Sequence, residues 1–235
     1  TKTYRLAGWT GGGVNGRDRT ELKGMLESAF IPASEKASKR IMVMLHGLGD
    51  SIEGYRWLPE AMQLPWLNYL LVNGPDAYFG GYSWFDYPDN MKPGILRSRK
   101  LLFELLEGLQ MKGFAPEDTV LGGFSQGGLM TMDAGLRYPH RLAGLVDMSG
   151  WVFEIETVLK ELSPVAREQR ALITHGAFDE LIPFEPVRQQ ARRLKEAGLN
   201  VEWREFPKGH TIYGEEELSA LREFVRAGFA ETPKR

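Results

Sequence analysis

The chain has 235 residues, of which 43% are hydrophobic and 26% charged, and its formal net charge is −2. That length suits one large domain with a full core, and a nearly balanced charge gives no electrostatic reason to bind nucleic acid or an anionic membrane. The lack of cysteine excludes disulfides, a thiolate nucleophile and cysteine-bound metal. No apolar run approaches the roughly eighteen residues that cross a bilayer, so no stable membrane insertion is expected and the cytoplasm is the default address.

Residues 1–23 are polar and glycine-rich (Gly11-Gly12-Gly13, Asn15-Gly16) and read as an N-terminal extension, either an ordered arm or a loose leader, ahead of a domain over 24–235. They lack the Gly-Lys-Ser/Thr ending of a phosphate loop. Leu26, Ala29, Phe30 and Ile31, between Met25 and Pro32, suggest an edge strand. Ile41-Met42-Val43-Met44-Leu45 is a continuous apolar run, as expected of a strand buried on both faces. After His46-Gly47-Leu48-Gly49-Asp50-Ser51, Glu53 to Leu64 predicts a short helix with Trp57, Leu58, Ala61 and Met62 inward. Tyr69-Leu70-Leu71-Val72 predicts a further strand. An aromatic loop follows, with Tyr78, Phe79, Tyr82, Trp84, Phe85 and Tyr87; such a loop either packs on the domain or lines a pocket.

Leu102, Leu105, Leu106 and Leu109 recur at helical spacing, with Gly113 as a stop. Val120 and Leu121 then enter a strand, and a helix is expected from Gly128 to about Tyr138. Ala143–Ser149 and Ala171–Gly176 read as strands, with too few residues between them for a lid domain. Pro186 suits the first turn of a helix running to Gly198. Val201, Trp203 and Phe206 mark a last strand, and Leu218, Leu221, Val225 and Phe229 the stripe of a closing helix. Strands alternating with helices imply right-handed crossovers and a mostly parallel sheet with helices on both faces.

Between strand and helix, Gly123, Ser125 and Gly127 fit G-x-S-x-G, a sharp turn that lifts a serine hydroxyl above the sheet. A nucleophilic serine needs a base. His46 and His175 each end a strand just before glycine, where a ring more often buttresses a loop, and His140 follows the serine helix. His210 lies in a loop between the last strand and the last helix, at the carboxyl edge to which the serine points. It is the favoured base. Asp179 follows a strand at the same edge and completes the order Ser…Asp…His, with Asp147 and Glu180 as rival acids. The tetrahedral oxyanion needs two amide donors, for which Leu48 and Gln126 are chosen.

Taken together, His46-Gly47-Leu48-Gly49-Asp50, Ser83-Trp84-Phe85-Asp86, Gly122-Gly123-Phe124-Ser125-Gln126-Gly127-Gly128, Ser149-Gly150-Trp151 and His175-Gly176-x-x-Asp179 with Pro183 resemble the phospholipase/carboxylesterase family of α/β-hydrolases. The resemblance spans roughly residues 25–230; the first twenty-odd residues lie outside it. It implies an α/β-hydrolase fold without a large lid, a triad of Ser125, Asp179 and His210, and oxyanion amides at Leu48 and Gln126. No cofactor and no metal are implied. The expected activity is hydrolysis of small-molecule acyl esters of short to medium chain, with Trp84, Phe85 and Trp151 walling the substrate pocket. An acyl thioesterase, lysophospholipase or carbohydrate-ester hydrolase would use the same machinery. A silent hydrolase fold that only binds is the rival of a different class. Oligomeric state is open, with a homodimer allowed.

Overall fold

The apolar run at 41–45 becomes β3 (Ile41–Leu45), every residue of which is buried. Its side chains alternate across the sheet: Ile41, Val43 and Leu45 enter one core cluster, Met42 and Met44 the other. Each aliphatic side chain so buried contributes about 1.5–3 kcal/mol, which is why the run is apolar throughout rather than alternating.

The computed structural model describes Tyr4–Arg5 and residues 26–230. Around β3 lies an eight-stranded sheet. It comprises β1 (Tyr4–Arg5), β2 (Ser28–Ile31), β3, β4 (Asn68–Val72), β7 (Thr119–Phe124), β8 (Gly144–Met148), β9 (Arg170–Gly176) and β10 (Asn200–Phe206), in the order β1-β2-β4-β3-β7-β8-β9-β10. Pairing from β4 through to β10 is parallel, and β1 and β2 are antiparallel. The segment expected to form the edge is therefore second in the sheet, because Tyr4 and Arg5 pair outside it with Phe30 and Ala29. The rest of the N-terminal extension lies outside the described residues.

Two helices, α1 (Leu58–Met62) and α6 (Gly214–Ala230), cover one face, with Leu58, Met62, Leu221 and Val225 in its core. On the other face sit α2 (Met91–Met111), α3 (Gln126–Gly135), α4 (Ile155–Lys160) and α5 (Phe184–Glu196). Between β8 and β9 the chain holds only α4 and a 3₁₀ turn, so no large lid intervenes there. The six parallel strands deliver their carboxyl ends to one edge. Residues 46–50, 125–126, 149–151, 177–182 and 207–210 therefore meet there.

Three local expectations are corrected. The segment expected to be one helix from Glu53 is a 3₁₀ turn (Ile52–Tyr55) followed by the short α1, so helical periodicity does not hold across it. Trp57, expected inward, precedes α1 and is 41% exposed. The aromatic stretch carries a small hairpin, β5 (Asp76–Tyr78) with β6 (Gly81–Ser83). Finally, α3 starts two residues earlier than expected and ends at Gly135.

Candidate active site

Ser125 stands between β7 and α3 with φ 55° and ψ −116°. For a residue with a Cβ this is a strained conformation, costing about 1–3 kcal/mol, and it persists only where its surroundings fix it. Its N–H donates to Met148 O at 2.9 Å, and its carbonyl accepts from Leu129 N–H at 3.0 Å. The flanking glycines are dictated by close approach. A Cβ on Gly127 would lie 2.3 Å from Leu45 O, and one on Gly123 would lie 2.2 Å from Gly127 O. Strand and helix can close only without those carbons.

His210 meets the serine from the loop after β10. Its Nε2 lies 2.9 Å from Ser125 Oγ, and its Nδ1 lies 2.7 Å from Asp179 Oδ2. The ring also packs on Phe124 at a centroid distance of 4.9 Å. The Asp179 side chain is fully buried. Its second oxygen accepts the amides of Leu181 at 3.0 Å and Ile182 at 2.9 Å, so the carboxylate is fixed by its own turn. A histidine bonded on both nitrogens in this way can take a proton from the serine while the carboxylate steadies the resulting imidazolium.

The rival acids sit elsewhere. Glu180 is exposed. Asp147 is wholly buried inside β8; its Oδ1 accepts Gly150 N–H at 2.8 Å and its Oδ2 has no bonded partner. Burial pushes its pKa up to about 7, against the pull of the Gly150 amide and of the Lys208 charge. None of the other histidines is hydrogen-bonded to Ser125. His46 is buried, with Nδ1 2.6 Å from Gly47 O and Nε2 accepting from Gly74 N–H at 2.9 Å. His175 binds Ile182 O at 2.9 Å. Burial lowers the pKa of both rings. His140 is exposed.

Leu48 and Gln126 both line a cavity of about 370 Å³ that opens at Ser125 and His210. Trp151 lines it too. Trp84 and Phe85 do not. Both are fully buried, which corrects the expectation that they wall the pocket. Instead they brace it. Trp84 N–H and Phe85 O engage the Gln126 side-chain amide at 3.1 and 3.0 Å, and the Trp84 indole N–H donates to His46 O at 3.0 Å. The aromatic turn thus ties the first turn of α3 to the loop that carries Leu48. The apolar walls are Tyr87, Phe124, Leu181 and Ile182 beside Trp151, and Tyr87 stacks edge-on against Trp151 at 5.9 Å. Sequence reasoning missed Leu181 and Ile182; their signal was an apolar pair left in a loop directly after Asp179.

It also missed a buried ion pair at the loop that carries His210. Lys208 Nζ bonds both oxygens of Glu217, at 2.7 and 2.8 Å, with both side chains fully buried. Glu217 also accepts from the Thr174 hydroxyl in β9 and from Tyr213 N–H. One carboxylate therefore clasps both ends of the His210 loop and ties them to the sheet. Lys208 O in turn accepts Phe178 N–H at 3.0 Å, next to Asp179. Burial lowers the Lys208 pKa, opposed by Glu217.

Among the described residues no cluster of metal-ligating side chains is found, and no helix is long and apolar enough to cross a membrane. A family model described as Phospholipase/Carboxylesterase matches residues 26–228. An acyl-protein thioesterase 1 from Gibberella zeae is 30% identical over 86% of this chain and 96% of its own. A probable carboxylesterase from Oryza sativa subsp. japonica is 29% identical over 87% of this chain and 84% of its own. Among solved structures, esterase PE8 superposes with a TM-score of 0.76 at 27% identity, covering 86% of this chain and 99% of its own.

Proposed function

The chain belongs to the phospholipase/carboxylesterase family of ester hydrolases, and we propose that it is a serine carboxylesterase acting on short- to medium-chain acyl esters. The observation that carries this reading is the bonded series Asp179–His210–Ser125, at 2.7 and 2.9 Å, opening into an apolar cavity. Ser125 Oγ attacks the ester carbonyl and gives its proton to His210 Nε2. The amides of Leu48 and Gln126 hold the oxyanion. The carbon–oxygen bond to the alcohol breaks, and His210 returns the proton to that oxygen. Water then repeats the sequence on the acyl-enzyme and frees the acid. Each methylene buried against Trp151, Leu181 and Ile182 is worth about 0.8 kcal/mol until the cavity is full. Preference therefore rises from acetyl to about butyryl–octanoyl and then falls.

A panel of nitrophenyl esters of graded chain length, with a fluorophosphonate label, tests the reading. Ser125→Ala is expected to lose several powers of ten in kcat and all labelling. A variant within about threefold of the parent would refute the nucleophile. Similarity to an acyl-protein thioesterase supports a second reading, hydrolysis of thioesters by the same residues. A long-chain acyl thioester in the same panel separates the two by kcat/KM.

A further inference from the structure

The catalytic mouth has two chambers. The larger is the apolar cavity described above. The smaller, about 260 Å³, is walled by Tyr55, Trp57, Thr211 and Ile212, and it shares Asp50, Phe124 and His210 with the larger. A tetrahedral carbon on Ser125 carries an oxyanion, an acyl group and a leaving alcohol. The last two need separate space. The acyl group suits the apolar chamber, which contains Ser125. The leaving oxygen must remain within reach of His210 Nε2, which protonates it; the smaller chamber is walled by His210 and not by Ser125.

We propose that the smaller chamber holds the leaving alcohol and selects cationic or neutral alcohols over anionic ones. This rests on the esterase reading and narrows its substrate class. Apart from His210, Asp50 is the one carboxylate or basic side chain among the residues that wall it. Its carboxylate accepts Ser51 N–H at 2.7 Å and packs on Gly54, where a Cβ would lie 2.2 Å away. Gly54 O accepts the Trp57 indole N–H at 2.7 Å. Carboxylate, glycine and indole thus form one continuous wall. Trp57 lines the chamber and is 41% exposed, and its indole N–H is already bonded, so what it can still offer a ligand is the aromatic ring. An aromatic face beside a carboxylate attracts a cation. The nearby Arg56 cannot offset this, since Glu53 holds it at 2.5 and 2.7 Å. A phosphate- or carboxylate-bearing leaving group therefore meets repulsion from Asp50 that Arg56 does not relieve.

The test uses three butyryl esters that differ only in the alcohol: choline, its neutral isostere 3,3-dimethylbutan-1-ol, and 3-hydroxypropanesulfonate. Charge a few ångströms from a partly solvated carboxylate changes kcat/KM by roughly fivefold or more between the cationic and anionic esters. The ratio shrinks as salt is raised from about 20 to 500 mM. Asp50→Asn keeps the acceptor for Ser51 and should compress the ratio towards one. Trp57→Ala should lower the choline ester about two- to fivefold relative to its neutral isostere. Equal kcat/KM for the three alcohols, or a ratio unchanged in Asp50→Asn, overturns the proposal. A parallel measurement follows phosphonylation of Ser125 by phosphonates with thiocholine, neutral thiol or sulfonated thiol leaving groups. If no ester turns over while the phosphonates keep the charge ranking, the esterase reading falls and the chamber stands. If the phosphonates show no ranking either, the chamber falls as well.

Discussion

Replacing Asp147 by asparagine separates the electrostatics of the catalytic edge from its chemistry. Asp147 is fully buried, and its pKa is pushed up to about 7 from an ordinary 3.8, chiefly by loss of solvent, with the Gly150 amide and the Lys208 charge acting the other way. A raised folded-state value means that the folded protein keeps a proton which the unfolded chain releases as pH climbs past 3.8. The associated stability is complete below that pH and is lost as pH rises through about 7. The span is 7 − 3.8, or about 3 units, and at about 1.4 kcal/mol per unit the loss is on the order of 4 kcal/mol. His46 and His175 slope the other way, because burial lowers their values and the unfolded chain protonates first as pH falls below 6.5. The diagnostic quantity is therefore the difference between variant and parent. Urea unfolding at pH 4, 6 and 8 should show Asp147→Asn gaining up to about 4 kcal/mol on the parent between the ends of that range. Asparagine keeps the oxygen that accepts Gly150 N–H, so ester turnover should stay within about tenfold. Stability curves that run parallel within about 1 kcal/mol would refute the electrostatic account. A folded variant crippled more deeply than Asp179→Asn would make Asp147 the acid.

Asp179→Asn should lower kcat by up to roughly 10⁴, because an amide cannot hold the His210 tautomer and imidazolium as a carboxylate does; steady-state kinetics on one nitrophenyl ester reads this. Lys208→Met should cost about 3–5 kcal/mol in urea unfolding, since it leaves Glu217 charged and buried without its partner. Adding Glu217→Gln should restore most of that loss, because the amide oxygen can still accept Tyr213 N–H, the amide NH2 can donate to the Thr174 hydroxyl oxygen in place of the lost carboxylate acceptor, and no charge remains. Trp151→Ala should move the chain-length optimum by altering a cavity wall, whereas Trp84→Phe, which removes the indole bond to His46 O, should lower the thermal midpoint and leave the shape of the profile unchanged.

Local patterns carried much of the architecture. The run at 41–45 read as a doubly buried strand, and the glycines around Ser125 announced a turn in which backbone meets backbone. His210 could be favoured among four histidines because its loop lies at the carboxyl edge of a parallel sheet, while His46 and His175 end strands just before glycine, where a ring more often buttresses a loop. What sequence could not supply was the direction of side chains in irregular backbone. Trp84 and Phe85 looked like pocket walls by composition, but the turn after β6 sends both inward, where their backbone groups satisfy the Gln126 amide. Trp57 looked inward by helical spacing, and the 3₁₀ turn before it broke that spacing. The Lys208–Glu217 pair was hidden for another reason. In a sequence, a lysine in a loop and a glutamate in a helix both read as solvated, and burial emerges only when the loop folds over the sheet.

On the proposed reading, the turn that carries Asp179 would join catalysis to selectivity on one side of the cavity. Asp179 Oδ2 holds His210, while Oδ1 holds the amides of Leu181 and Ile182, whose side chains wall the apolar chamber. The backbone that positions His210 through Asp179 is therefore also the backbone that carries part of the apolar wall. A substitution at 181 or 182 that shifts those amides would reach His210 through a single carboxylate. The opposite wall is built differently. Tyr87 and Trp151 come from segments after β6 and β8, and they stack edge-on against each other. Acyl preference should be tunable from that side without disturbing the proton path, and the two walls give a physical reason why changes of similar size in one cavity differ in their effect on kcat.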